Sequence, residues 1–157
     1  VEKPINTDVS IQFERWNLFL DRVQDPGNMG AILRVADWYG IKTVVSGPGS
    51  ADFYNPKVVQ SAMGAHNRLN LLKCAFEDLK LFDMPTVALT LNGTGLDQLK
   101  LEKAMIIIGN EGKGIDSSIL KHVSHSVTIP KLGGAESLNA AVACGIACHQ
   151  IIMSATD

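Results

Sequence analysis

Apolar residues along this chain gather in short unbroken runs instead of alternating one by one with polar ones. The runs at 18–23, 43–46, 86–91, 105–108 and 126–129 are rich in Leu, Val and Ile and bounded by turn-forming residues, so each is predicted to be a strand. Strands without polar alternation are buried on both faces, the pattern of a parallel sheet covered by helices. Helical spacing of apolar positions appears between them, over 29–39, 56–63, 116–122 and 138–154. The first helix follows Asp25-Pro26-Gly27-Asn28, with Asn28 as the expected N-cap and Gly40 as the stop. The second starts with Pro56 after Asn55, the third opens on Asp116, and the last, rich in Ala and Gly, has Ser137 as its natural cap. This order predicts an α/β fold: a mostly parallel sheet with helices on both faces. Ligands in such sheets collect beyond the carboxyl ends of the strands, so the loops after Leu91, Ile108 and Ile129 are where chemistry is expected.

Composition sets the scale. With 157 residues, 46% of them hydrophobic, the chain has material for one buried domain, assigned to 16–157, while 1–15 reads as a linker because Pro4 to Ser10 is polar and patternless. No run approaches the roughly 18 apolar residues that span a bilayer, and the first residues lack the order of a secretion signal. The three cysteines, Cys74, Cys144 and Cys148, sit in apolar surroundings and fit a reducing, cytoplasmic compartment; no zinc-site spacing accompanies them, and no metal is expected. A net charge of −2 gives no electrostatic footprint for nucleic acid.

Three loops carry the chemical signal. In Ile107-Ile108-Gly109-Asn110-Glu111-Gly112-Lys113-Gly114 an apolar strand enters a loop with three glycines, which lets the backbone approach a ligand. The spacing is neither that of a P-loop nor GxGxxG, and Glu111, set between glycines, has no packing duty. The segment from Ile129 through Pro130, Leu132 and Ser137 to Leu138 and Asn139 is longer than a strand needs to enter a helix. The third, at 25–34, starts a helix with a lone arginine, Arg34, among apolar residues; taken alone, a snorkelling surface arginine explains it.

Taken together, DPGNMGAILRVADWYG at 25–40, IIGNEGKGI at 107–115 and IPKLGGAESLNAAVACGIA at 129–147 resemble, in order and spacing, the three motifs of the SpoU methyltransferases of the SPOUT superfamily. NPKVVQSAMGA at 55–65 looks like a further segment, and the likeness runs from about residue 16 to the end. Ala31, Val35 and Gln60 depart from the common form of these motifs. The resemblance implies a C-terminal deep trefoil knot, a rare exception to unknotted topology. It also implies S-adenosylmethionine held in that knot by Leu89, Thr90, Leu91 and Gly93, by Ile108, Gly109, Asn110 and Gly112, and by Ile129, Pro130, Leu132, Ser137, Leu138 and Asn139, with main-chain contacts at Gly109, Ile129 and Leu138. A homodimer formed through the knot region, with a site drawing on both subunits, belongs to the same expectation.

The implied reaction is methylation of a ribose 2′-hydroxyl in RNA, ribosomal RNA before transfer RNA, with an RNA-binding domain upstream. Such a displacement needs alignment and an activated alcohol, but neither metal nor covalent intermediate. Arg34 matches the family's catalytic arginine, and since a guanidinium stays protonated at neutral pH its expected role is electrostatic stabilisation of the developing alkoxide, or proton uptake only after desolvation. Asn28, Glu111, Ser137 and Asn139 are assigned to orienting Arg34, the ribose and the methionine tail. Asn28 lies six residues before Arg34, on another helical face, and is expected to reach the site from the turn. His66 and Arg68, beside Lys73, are secondary candidates for RNA contact, with a solvated strand as the alternative. The rival functions are a non-catalytic knotted RNA-binding protein and an ordinary nucleotide-binding α/β enzyme.

Overall fold

The computed structural model describes residues 13–155, so the proposed linker lies for the most part outside the described residues. Six strands form one sheet: β1 (Trp16–Leu20), β2 (Thr43–Ser46), β3 (Asn70–Lys73), β4 (Thr86–Gly95), β5 (Ala104–Ile108) and β6 (His125–Thr128). Their order is β3-β2-β1-β5-β4-β6, and every pairing is parallel. The helices are α1 (Pro26–Trp38), α2 (Pro56–Ala62), α3 (Ser117–Leu120) and α4 (Ala140–Ser154).

Unbroken apolar runs do what they predicted. Leu18, Leu20, Val44, Ile106 and Ile108 point into a core shared with α1, α2 and α4, while the alternate residues Phe19, Val45, Met105 and Ile107 point into a second core with Ile115, Ile119 and Phe76. Both faces are thus buried, and β1, β2 and β5 contain no exposed residue. Gly30 lets α1 lie against α2, since a Cβ there would fall 2.9 Å from the Ala62 amide nitrogen.

Several boundaries differ from the sequence reading. The first strand stops at Leu20 because Arg22, at φ 55°, turns the chain. Asp25, not Asn28, caps α1: its carboxylate accepts from the Gly27 amide and Pro26 takes the first helical position, leaving Asn28 inside the first turn. Asn139, not Ser137, caps α4, accepting from the amides of Ala141 and Val142. The edge strand β3 lies outside the apolar runs and matches in part the solvated strand considered for the His66–Lys73 segment, since both its end residues are exposed and polar.

Chain order reverses between β1 and β5, whose carboxyl ends lead one way into α1 and the other into the 109–115 loop. A crevice opens at such a switch point.

Candidate functional site

Beyond the carboxyl ends of β4, β5 and β6 lies a cleft of about 640 Å³, a size suited to a cofactor or small ligand. Of the predicted cofactor positions, Leu89, Thr90, Leu91, Ile108, Gly109, Asn110, Gly112, Ile129, Pro130, Leu132, Ser137 and Leu138 line it. Gly93 and Asn139 stand outside that lining. The lips are apolar and solvent-facing: Leu132 is 100% exposed, with Leu91 and Leu138 also exposed. Solvated leucines around a concavity suit the burial of a flat, partly apolar group such as an adenine ring.

Two glycines shape these walls. A Cβ on Gly93 would lie 2.6 Å from the Ser126 carbonyl oxygen, so glycine here serves the approach of β4 to β6. Leu89 and Thr94 both pair with Val127, so residues 90–93 form a bulge. The Thr90 hydroxyl, donating to the Asn92 carbonyl, and the Thr128 hydroxyl, donating to the Leu91 carbonyl, fasten it. Gly109 is equally constrained, since a Cβ would meet Gly114 and Ile115 backbone atoms at 2.5 Å. The loop closes through the reciprocal Asn110–Gly114 backbone bonds and through the Asn110 side chain, which accepts from the amides of Gly112 and Lys113.

Three of the five predicted catalytic residues meet in one polar chain beside this cleft. Asn139 Nδ2 donates to Asn28 Oδ1 at 2.8 Å, and Asn28 Nδ2 donates to Glu111 Oε1 at 3.4 Å. The Asp25 amide donates to the same carboxylate at 3.2 Å and the Gln24 amide at 3.5 Å. Burial pushes the Glu111 carboxyl up, but bonds from its own amide, Asp25, Asn28 and Gln24 outweigh it and hold the group below the ordinary glutamate range, hence ionised at neutral pH. Ser137 lines the cleft wall.

Arg34 stands apart: it is exposed on α1, absent from the cleft lining, and bonded to no other described residue. The contacts of α1 with α4, Asn28 to Asn139, Val35 beside Gly145 and the Tyr39 hydroxyl to His149 Nδ1 at 3.1 Å, place the outward faces of the two helices side by side. Arg34 and Trp38 are exposed on α1, and Val142 and Ile146 on α4. Of the secondary candidates, Arg68 is engaged in a fork with Asp37 and Lys73 pairs with Asp52, while His66 bonds the Phe53 carbonyl. Arg68 and Lys73 thus each already face a carboxylate. Among the described residues no group of three or more His, Cys, Asp and Glu side chains is placed to hold a metal, and no helix is long and apolar enough to cross a membrane. Sequence reasoning missed Asp21 and Arg22, whose only signal was a charged pair at a strand end.

Comparison with known proteins decides the family, because the model of the SpoU rRNA Methylase family matches residues 15–149. The chain belongs to the SpoU rRNA methylase family. It is 36% identical over 140 residues to the 23S rRNA (guanosine(2553)-2′-O)-methyltransferase RlmP of Bacillus subtilis, covering 85% of this chain and 56% of that protein. A TrmH-family protein of Porphyromonas gingivalis superposes with a TM-score of 0.85 at 38% identity, covering 92% of this chain and 62% of that one. The S-adenosylmethionine-bound rRNA methyltransferase of Sinorhizobium meliloti superposes with a TM-score of 0.83 at 28% identity, over 94% and 59% of the two chains. The SpoU chain described here therefore spans little more than half the length of these relatives.

Proposed function

We propose that this SpoU domain binds S-adenosylmethionine in the cleft beyond β4, β5 and β6 and methylates a ribose 2′-hydroxyl of RNA, ribosomal RNA in the first instance. The observation that carries the reading is the joint placement of Glu111, Asn28 and Asn139 in one hydrogen-bonded chain beside a cleft of cofactor size. The residues fit the cofactor: Leu91, Leu132 and Leu138 offer exposed apolar cover around a concavity of about 640 Å³, with Gly112, Gly133 and backbone of the 109–115 loop in its wall. When bound, S-adenosylmethionine supplies a methyl group made electrophilic by its sulfonium. The main chain at Gly109, Ile129 and Leu138, all in the cleft wall, would hold the adenosine. Glu111, ionised and bonded to Asn28, would orient polar groups of the substrate or cofactor, and Arg34 would stabilise negative charge developing on the ribose oxygen.

Within one chain Arg34 does not line the cleft, so the reading includes a homodimer built on the outward faces of α1 and α4, in which one copy's Arg34 approaches the other copy's cleft. It also includes a trefoil knot through which α4 threads, cytoplasmic residence, and RNA affinity supplied by a domain preceding residue 16, since a net charge of −2 furnishes little. Arg34→Ala tests the assignment. Being exposed and unbonded, Arg34 is dispensable for folding, so the variant should keep its melting temperature and its affinity for S-adenosylhomocysteine while methyl transfer to RNA falls by about 100-fold or more, the scale of a lost charge-stabilising group. Normal turnover by Arg34→Ala refutes the role.

A further inference from the structure

Where β1 ends, the dipeptide Asp21–Arg22 grips the 110–116 loop at three points. Arg22 adopts φ 55°, a left-handed conformation that a non-glycine residue rarely takes, and such a backbone persists only where surrounding contacts over-determine it. Here the contacts are visible. The Arg22 carbonyl accepts from Asn110 Nδ2 at 2.8 Å, and its Nη2 donates to the Gly114 carbonyl at 3.0 Å, so one residue holds both ends of the 110–114 turn. Asp21, itself buried, accepts from the Asp116 amide at 2.7 Å and from Arg22 Nε and Nη2 at 3.2 and 3.1 Å. Gly49 backs the Arg22 stem so closely that a Cβ there would lie 3.3 Å from Arg22 Cγ.

We propose that Arg22, braced by Asp21, is a positioning residue for the cleft: it locks the 110–116 loop to the sheet and so fixes Glu111 and the cleft wall at Gly109 to Ile115. A surface ion pair alone stabilises little. This one converges with two main-chain clasps on a loop whose other bonds, from Glu111 to Gln24 and Asp25, reach the same short segment of chain. Arg22 does not itself line the cleft or bond Asn28 or Asn139, so it acts through the loop it holds. A fork is needed for the dual grip on Asp21 and Gly114, which lysine, a single point donor, does not reproduce.

The proposal rests on the methyl-donor reading of the cleft, and its test separates the two. Arg22→Gly removes the guanidinium while relieving the backbone, so the variant folds; Arg22→Lys keeps the charge without the fork. Hydrogen exchange of full-length protein, followed at residues 110–116, should show loss of protection in Arg22→Gly and a smaller loss in Arg22→Lys, with the strands unchanged. S-adenosylhomocysteine should bind Arg22→Gly about tenfold more weakly, the scale of one charge-assisted hydrogen bond, with Arg22→Lys intermediate. Unaltered exchange at 110–116 overturns the clamp, and so does a loosened loop that binds cofactor with wild-type affinity. Should the wild-type protein itself fail to bind S-adenosylhomocysteine, the methyl-donor reading falls, while the exchange data still decide whether Arg22 holds the loop.

Discussion

Replacing Asn139 separates two roles that one side chain performs. Its Oδ1 caps α4 by accepting from Ala141 and Val142, and its Nδ2 donates to Asn28 Oδ1 at 2.8 Å. Asn139→Ala loses both: about 1 kcal/mol for the cap and about 1 kcal/mol for the side-chain bond. At roughly 2–4 °C per kcal/mol for a domain of this size, the melting temperature should fall by roughly 4–8 °C. Asn139→Asp keeps the cap and places a negative charge at the positive end of α4, worth about 0.3–1 kcal/mol, which offsets much of the lost bond. Yet a carboxylate at 139 can only accept. Glu111 can only accept as well, and Asn28 between them presents one donor end and one acceptor end, so either orientation of its amide sets two acceptors face to face. The chain is frustrated even though the fold is intact. Asn139→Asp should therefore melt within about 2 °C of wild type, by the same conversion, while methyl transfer to RNA drops about tenfold, the cost of one bond left unmade near a charged group. Thermal melts and initial rates at saturating cofactor measure the two effects. If Asn139→Ala and Asn139→Asp lose stability and activity in parallel, Asn139 is a helix cap and the polar chain has no further role.

Other perturbations follow from the same geometry. Gly109→Ala forces a Cβ to 2.5 Å from two backbone atoms, so it should cost about 1–3 kcal/mol in urea unfolding and abolish binding of S-adenosylhomocysteine by calorimetry. Gly145→Ala is the counter-case: its Cβ would rest 3.8 Å from Val35 Cγ2 inside α4, and the gain of about 0.5–1 kcal/mol should raise the melting temperature by roughly 1–4 °C. Because the Glu111 pKa is lowered by folding, its contribution to stability is complete above the unfolded value of about 4.3 and is lost as pH falls through the lower folded value. Glu111→Gln should flatten the acid side of a stability profile below about pH 5, and an unchanged slope would contradict the hydrogen-bond assignment.

How much of this was legible in the sequence varied with the range of the interaction. The β1, β2 and β5 runs were readable because burial on both faces leaves no polar position to confuse them. Glu111 stood out for want of a packing reason, and the structure gives it three amide-type donors from other residues. Helix starts were harder. Asp25 and Asn28 are both good caps three residues apart, and only the Asp-Pro pairing, with proline free of a donor at the first helical position, favoured Asp25. The same ambiguity hid Asn139 behind Ser137. What no local pattern could show is the bond between Asn28 and Asn139, 111 residues apart, or the 92-residue reach from Arg22 to Gly114. Gly93 was assigned to cofactor binding, and a Cβ there would also collide with β6, a packing constraint visible only once two strands are side by side.

The most direct test of the central claim is to incubate the protein with 23S ribosomal RNA and S-adenosylmethionine carrying a labelled methyl group, then digest the RNA with alkali, which cannot cleave beside a 2′-O-methylated ribose. The account predicts label in alkali-resistant dinucleotides, absent with Arg34→Ala. Label confined to bases, or no transfer despite tight cofactor binding, would contradict it.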